Sequence, residues 1–360
     1  MNESPLVSLL IPTFNSALTI RDAVDSCSSQ IYANLEILVY DEASKDGTRD
    51  ILNEAAQRDS RVRVITSEEN SGPVRAWRKL LHEARGKYCT FVWSDDLILP
   101  RFVEKLVQVL EANPAHLIAG CNAFSETIPE TVSGTGQEKI KTGVASRVLL
   151  HDFPTVKVRG DEYALGILAA VFPVSQICSL FNTEAAREVF DHYIQFENPY
   201  GFDFSRRAYG NDVSFLSELA LRSGELIQLG EPLVACRASP ESMTVNARRD
   251  HRWQYWLQYV WAIRHAWTRC LPLSPRMNAL VRVVDDRVSF CDTFYSWKNG
   301  KWPREFSPIK ILRAVWFLIR HDRRKNPLVT PATIQAWLER KAKGKANAAP
   351  KCVPVTKSHL

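Results

Sequence analysis

The segment VSLLIPTFN, residues 7–15, sets the reading of the whole chain. Val7–Ile11 is a short apolar run; Pro12 closes it and leaves Thr13, Phe14 and Asn15 projecting beyond. Such a run bounded by a turn residue reads as a buried strand. A helical pattern follows near 19–30, and the alternation repeats, with strands near Glu36–Tyr40, Val62–Thr66, Tyr88–Trp93 and Leu117–Cys121. Helices are expected between them near 48–58, 73–85 and 101–112. This spacing predicts an α/β fold with a mostly parallel central sheet covered on both faces, whose ligands bind at the carboxyl ends of the strands.

Three clusters of polar residues fall at those ends. In the first, Pro12, Thr13, Phe14 and Asn15 form a turn that can stack a base and bond a nucleotide, or simply lead into a helix near Thr19. In the second, VYDEASKDGT (39–48), Asp41 stands at the tip of a strand. There a carboxylate can bond a base or a ribose hydroxyl; alternatively Asp41 is only solvated, with Asp46 or Thr48 capping the next helix. The third is Trp93-Ser94-Asp95-Asp96. Adjacent carboxylates at a buried strand end repel unless a cation or donors compensate, so a hard divalent metal is the simplest account. The competing reading has Asp95 and Asp96 starting a turn and capping a helix near Arg101.

The order IPTFN, VYDEASKDGT, Asn70-Ser71-Gly72, FVWSDD and Leu99-Pro100 resembles the inverting family-2 glycosyltransferases, members of the nucleotide-diphospho-sugar transferase superfamily with the GT-A fold. The resemblance runs from about Val7 to Pro100 and resumes at 205–245, in Tyr209-Gly210-Asn211-Asp212-Val213-Ser214-Phe215-Leu216 and in Leu229-Gly230-Glu231-Pro232-Leu233 with Arg237 beyond. It implies that Asp41 contacts the base, Asp95 lies near the ribose, and Asp96 binds a divalent cation, Mg2+ or Mn2+. It further implies that Pro12, Thr13, Phe14, Asn15, Asn70 and Gly72 approach the nucleotide-diphospho-sugar donor; Arg75 or Arg78 could reach its phosphates, or both are surface charges on the helix, the reading favoured for at least one of them. Asp212 matches the acid that takes the acceptor hydroxyl proton, and it is also a candidate cap for a helix over 213–222. The expected reaction is metal-dependent transfer of one sugar to an acceptor hydroxyl in a single in-line displacement. The QxxRW motif and spanning helices of the family's processive synthases are not found, which favours single addition. Departures are Glu42 and Ala43 where an acid and a glycine are usual, Trp93 for an upstream acid, Arg78 for an asparagine, and Asn211 for the first acid of the base segment.

Two rivals are weighed against this. A sugar nucleotidyltransferase would carry a Gly-rich basic loop after the first strand, and Pro12-Thr13-Phe14-Asn15-Ser16 has neither glycine nor lysine. A silent binding or scaffold protein would have lost the metal or base acid, whereas Asp95, Asp96 and Asp212 are all present.

The 360 residues are 45% hydrophobic, enough for one enzyme-sized domain and an appendage. The expected division is a catalytic domain over 1–245, with a nucleotide half (1–122) and an acceptor half (123–245), then a helical basic region over 246–340 and a disordered tail over 341–360. Residues 126–143 read as a surface loop, and 163–181 as the stretch that resumes the fold. The eight cysteines show no metal-ligand spacing and read as apolar fillers in a reducing compartment. With no signal peptide, and no window near the roughly 18 apolar residues of a spanning helix, a cytoplasmic location is expected.

The net charge of +6 is uneven: residues 301–360 hold 14 Lys and Arg against Glu305, Asp322 and Glu339, a local +11, and the other 300 residues sum to −5. This argues against a nucleic-acid binder and for an anionic partner of the C-terminal region. Within 308–324, Lys310, Arg313, Arg320 and Arg324 share one helical stripe, with Ile311, Leu312, Val315, Trp316, Leu318 and Ile319 elsewhere. Such a helix can lie on the inner face of an anionic membrane, fitting a lipid-linked saccharide acceptor in surface polysaccharide, lipopolysaccharide or glycolipid assembly, or it can pack on the catalytic domain with its arginines reaching water. The stripe Trp253, Trp256, Val260, Ile263, Trp267 reads as core.

Overall fold

The computed structural model describes residues 4–127, 146–195, 198, 200–204, 208–237, 252–270 and 275–321, with short pieces at 131–132, 139–140, 332–334, 336–337 and 340. The first half alternates as the sequence predicts: β1 (Val7–Thr13), α1 (Ile20–Ser28), β2 (Leu35–Glu42), α2 (Thr48–Arg58), β3 (Val62–Ser67), α3 (Pro73–Glu83), β4 (Tyr88–Phe91), β5 (Leu97–Ile98), α4 (Phe102–Ala112) and β6 (Ile118–Thr127). A short pair β7 (Thr131–Val132) and β8 (Lys139–Ile140) stands where a loop is expected, and most of 126–143 lies outside the described residues. Then come β9 (Ser146–Leu149), β10 (Val156–Arg159), α5 (Gly160–Leu168), β11 (Ser179–Asn182), α6 (Thr183–Gln195), α7 (Asn211–Ser223) and β12 (Glu225–Arg237). The chain closes with α8 (Arg252–Arg269), α9 (Pro275–Lys298) and α10 (Pro308–His321); residues 341–360, expected to be disordered, lie outside the described residues.

The sheet runs β10-β12-β6-β11-β4-β1-β2-β3, with β5 beside β12 and β9 beside β6. Strands β3, β2, β1 and β4 are parallel. β11 enters antiparallel between β4 and β6, and β12 returns parallel to β6. Successive side chains of a strand point to opposite faces, so each buried strand feeds two cores. Leu10, Leu38 and Phe91 join one core with α3, α5, α6 and α7, while Leu9, Ile11, Ile37 and Val39 join the other with α1, α2 and α4.

Pro12 does not end the ladder. β1 continues through the pairs Pro12–Tyr40 and Thr13–Asp41, whereas its pairing with β4 stops at Leu10–Phe91. Leu10 turns its carbonyl to β4 and accepts from Val92 N (2.8 Å). Pro12, two residues on, faces the same way, where no ladder partner remains to need its missing N–H.

The last helices complete the first core. Val260, Ile263 and Trp267 of α8 are buried as the stripe predicts, with Trp267 Nε1 donating to Ser217 Oγ of α7 (2.7 Å); Trp253 stacks on Phe294 of α9 with centroids 4.6 Å apart. Among the described cysteines, five are buried and two half-buried, all as free thiols; Cys352 lies outside the described residues.

α7 begins after Gly210, whose φ of 79° and close approach to the Tyr259 backbone admit no side chain: an added Cβ would lie 2.7 Å from Tyr259 Cα. Gly224, just past the other end, also has a positive φ (75°) but open space around it. Gly210→Ala is therefore expected to lose on the order of 1–3 kcal/mol, as strain and clash add. Gly224→Ala carries the backbone strain alone, about 1 kcal/mol. Thermal unfolding of the two variants checks the order, and equal losses would contradict the Tyr259 contact.

Candidate functional site

The loops after β1, β2, β3 and β4 meet at the carboxyl edge of the sheet, and polar side chains knit them together. Asn15, at φ 49°, donates its N–H to Ser44 Oγ (2.8 Å) and accepts Lys45 N on Oδ1 (3.0 Å). Ser16 N donates to Thr48 Oγ1 (2.9 Å), and Ala17 N to Asp46 Oδ2 (3.0 Å). Ser16 Oγ and Ser94 Oγ lie 3.0 Å apart, joining the β1 loop to the Trp93–Asp96 turn. Glu42 accepts both N and Oγ of Ser71 (3.2 and 2.8 Å), which brings in the β3 loop. There Asn70 Oδ1 accepts Gly72 N (3.0 Å), setting the turn into α3. Asp46 also accepts Thr48 N (3.2 Å), but the N-cap of α2 is Gly47, neither Asp46 nor Thr48.

Asp41 is fully buried. Its Oδ2 accepts Arg49 Nε (2.7 Å) and Ser44 N (3.3 Å), and its Oδ1 has no hydrogen-bond partner. Thr13 Oγ1, from the residue paired with it across β1 and β2, is also buried and unpartnered. A buried acceptor left open beside a buried hydroxyl is unusual in a finished core, where such groups find partners, and is suited to receiving a ligand's N–H or O–H. Phe14 is 46% exposed at the rim.

Asp95 is half-buried and Asp96 buried. The helix they might cap starts at Phe102 with Arg101 as its cap, so neither takes that role. Asp96 Oδ1 accepts the backbone N–H of Arg237 (2.8 Å). Burial pushes the Asp96 carboxyl up to about 8, the charge of Asp95 adds to this and that of Asp212 contributes further, while the Arg237 N–H and charge oppose it. The Arg237 side chain is itself held, its guanidinium donating to Glu126 Oε1 and Asp22 Oδ2 (2.8 Å each), while Glu126 also pairs with Arg147. Trp93 brings no charge: its ring stacks on Phe91 with centroids 5.7 Å apart, and Nε1 donates to Ser175 Oγ (2.8 Å).

Asp212 sits in the first turn of α7 and is not its cap; Gly210 is. The Asp212 Oδ1 atom is closed off from solvent without a hydrogen-bond partner, and burial pushes the carboxyl up to about 7. Beside it Asn211 is fully buried, its Oδ1 accepting Gln176 Nε2 (2.8 Å). An amide in place of a second acid spares this turn a further buried charge. Arg78 is taken up by Asp191 (2.6 Å) on the outer surface, leaving Arg75, exposed in the first turn of α3, as the arginine nearer the loops.

The structure thus brings Pro12–Asn15, Asp41, Asn70, Gly72, Asp95 and Asp96 to one edge, with Asp212 near enough for its charge to weigh on Asp96. Sequence reasoning missed the braces Arg49, Glu126 and Gln176, whose partners are distant in the chain or were not paired by any motif. Among the described residues, no three His, Cys, Asp or Glu side chains gather as a protein-only metal centre. What Asp95 and Asp96 offer fits a hard cation that takes its remaining ligands from phosphate and water.

The architecture is GT-A-like. Staphylococcus aureus TarS 1–349, solved in complex with UDP-GlcNAc, superposes with a TM-score of 0.55 at 16% identity, covering 95% of this chain and 91% of that one; the likeness is one of fold alone. Residues 8–151 match the model for glycosyl transferase family 2. TuaG of Bacillus subtilis, named as a teichuronic acid biosynthesis glycosyltransferase, is 42% identical over 126 residues, 35% of this chain and 50% of TuaG. A Campylobacter jejuni GalNAc(5)-diNAcBac-PP-undecaprenol beta-1,3-glucosyltransferase is 28% identical over 163 residues, 45% of this chain and 51% of that protein. The chain spans about half the length of these curated relatives.

Asp212 yields a test of the site's electrostatics. Its folded carboxyl titrates near 7, above the unfolded value near 4, so the folded state holds the proton more tightly between those pH values and stability falls as pH rises through that window. Asp212→Asn removes the penalty. Its Tm should exceed wild type at pH 8, by on the order of 1–3 kcal/mol in stability, and the gap should close by pH 4. A gap independent of pH would mean that the Asp212 carboxyl is not shifted.

Proposed function

We propose that this protein transfers one sugar from a nucleoside diphosphate sugar to an acceptor hydroxyl, with inversion at the anomeric carbon. The observation that carries the reading is the meeting of Asp41, Asp95, Asp96 and Asp212 at the carboxyl edge of a family-2 sheet, with open acceptor atoms on Asp41 and Asp212. Asp41, fixed by Arg49 and Ser44, would accept a hydrogen from the base through its free oxygen, with Phe14 beside it at the rim. Asn15, Asn70 and Gly72 shape the loops around the donor, Asp95 faces the ribose, and Arg75 reaches toward the phosphates.

Asp212 takes the proton of the acceptor hydroxyl as that oxygen bonds to the anomeric carbon and the bond from that carbon to the diphosphate oxygen breaks; one displacement inverts the centre. A carboxyl titrating near 7 is matched to this work, half-ionised at neutral pH and a stronger base than an exposed aspartate. Asp96 would hold Mg2+ or Mn2+ jointly with the donor phosphates, and the cation would stabilise charge on the departing diphosphate. The names of the two relatives support a saccharide or lipid-linked saccharide as acceptor, in surface polysaccharide or glycolipid assembly; action at the cytoplasmic face of the membrane is part of the same proposal.

Calorimetry with UDP, dTDP and GDP, with and without Mn2+, tests the donor site in wild type and Asp96→Ala. Metal-dependent binding of one nucleotide, lost in Asp96→Ala, is expected. No metal-dependent binding to any of them would turn the reading toward a silent relative on the same fold. With the donor so identified, Asp212→Asn should still bind it while turnover falls about 10²–10⁴-fold. Wild-type turnover should rise with pH up to about 7, as Asp212 must be ionised to accept a proton; a flat profile from pH 5 to 8 would remove Asp212 from the role of base.

A further inference from the structure

The C-terminal helices end on a surface that the transfer chemistry does not use. α10 is seated through Ala314, Phe317 and His321, the residues it buries. Phe317 and His321 stack with centroids 4.7 Å apart, and Trp337 packs against both. Arg313 is pinned at the edge of this seat by Asp286 of α9, Nε to Oδ2 at 2.8 Å. With the helix held in that rotation, Ile309, Leu312, Trp316 and Ile319, spaced by three and four residues, turn outward at 67, 69, 45 and 62% exposure. The segment leading into α10 continues the apolar surface: Phe306 contacts both Trp302, 75% exposed, and Trp297, 52% exposed. Eight of the fourteen exposed large hydrophobic side chains among the described residues fall between Trp297 and Ile319, so the exposure is concentrated and not the ordinary scatter of a protein surface.

The charge around this face is of one sign. Residues 297–321 hold Lys298, Lys301, Arg304, Lys310, Arg313 and Arg320 against Glu305 alone, and Glu305 is taken by Arg264 (2.6 Å). Arg320 lies over the Trp316 ring at 5.1 Å, a cation beside the apolar ridge. A second copy of the face would bring two basic rims together, and residues 322–360 of the chain itself carry nine Lys and Arg against Asp322 and Glu339. Both occupants are opposed by like charge. An anionic lipid surface complements the face in both respects, accepting the apolar ridge and tryptophans at headgroup depth and the cations among its phosphates.

We propose that the outward face of α10, with Trp297, Trp302 and Phe306, docks on an anionic phospholipid bilayer, the helix lying in the plane of the headgroups. The sequence stripe of Lys310, Arg313, Arg320 and Arg324, the last outside the described residues, is rearranged accordingly. Arg313 serves the seat on α9, Lys310 is half-buried, and the apolar residues do the inserting. The inference does not depend on the sugar-transfer reading.

Co-sedimentation of the full chain with vesicles of phosphatidylcholine, alone and mixed with phosphatidylglycerol, tests it. The wild type is expected to pellet with the mixed vesicles at least tenfold more than with phosphatidylcholine alone, and less as salt rises. Leu312→Glu/Ile319→Glu should lose that binding tenfold or more with unchanged Tm, since both positions are exposed. Arg320→Gln should weaken it without abolishing it. Absence of binding to the mixed vesicles, or equal binding by the Glu double variant, overturns the proposal. So does light scattering that finds a wild-type dimer turned monomeric by the double variant while vesicle binding is absent, which would assign the face to a second copy. Nucleotide binding measured on the same samples stands apart: its loss would count against the transfer reading and leave the lipid result intact.

Discussion

The backbone N–H of Arg237 donating to Asp96 Oδ1 is the bond on which the arrangement of the site turns. It ties the end of β12 to the loop after β4, which lie 141 positions apart in the chain, and sets one strongly burdened carboxyl where two others can act on it. Its alignment is maintained from outside. Glu126 at the end of β6 and Asp22 on α1 hold the guanidinium of the same arginine, so one residue braces the carboxylate with its backbone and ties β6 and α1 to β12 with its side chain. The parallel pairing of β12 with β6, shifted in register at Leu229–Pro232 and Pro232–Val234, brings Arg237 opposite Glu126. Burying acids at a sheet edge is unfavourable, and most polar bonds around the site can be understood as partial compensation for it.

Much of this was legible in the chain and some was not, for physical reasons. Strand and helix positions in the first 122 residues follow from apolar runs and turn residues that act locally, so β1 to β4 and α1 to α4 fall within about two residues of expectation. The acids at strand ends were legible for the same cause: a strand that must be buried leaves its polar residues at its tip. The braces were not. Nothing local couples Glu126 to Arg237 or Gln176 to Asn211; those pairs exist because β11 and β12 return to the sheet after long excursions. Pro12 reads locally as a stop, yet a proline's cost depends on whether the neighbouring strand extends that far, and β4 does not. The orientation of α10 was likewise hidden. Its cations and apolar residues were visible, but the side chain that fixes its rotation is Phe317, and only the seat formed with His321 and Trp337 singles it out from the other apolar side chains of the helix.

The departures from the family pattern find separate explanations. Trp93 is a wall residue of the aromatic core. Glu42 is spent on the Ser71 loop, a structural bond across to β3 and not a charge offered to a ligand; burial raises its carboxyl and the Ser71 donors lower it. Asn211 exchanges a carboxylate for an amide that Gln176 can hold.

Ala43 adds a different consequence. It occupies a left-handed conformation, φ 59°, where a glycine is usual, next to Asn15 in the same region of backbone space across the Ser44 bond. A side chain with a Cβ is held there at a cost of about 1 kcal/mol. In return it narrows the conformations open to the unbound loop, which glycine would leave broad. The loop after β2 therefore arrives at its encounter with a ligand already shaped: some of the ordering that association would otherwise demand was completed when the chain folded.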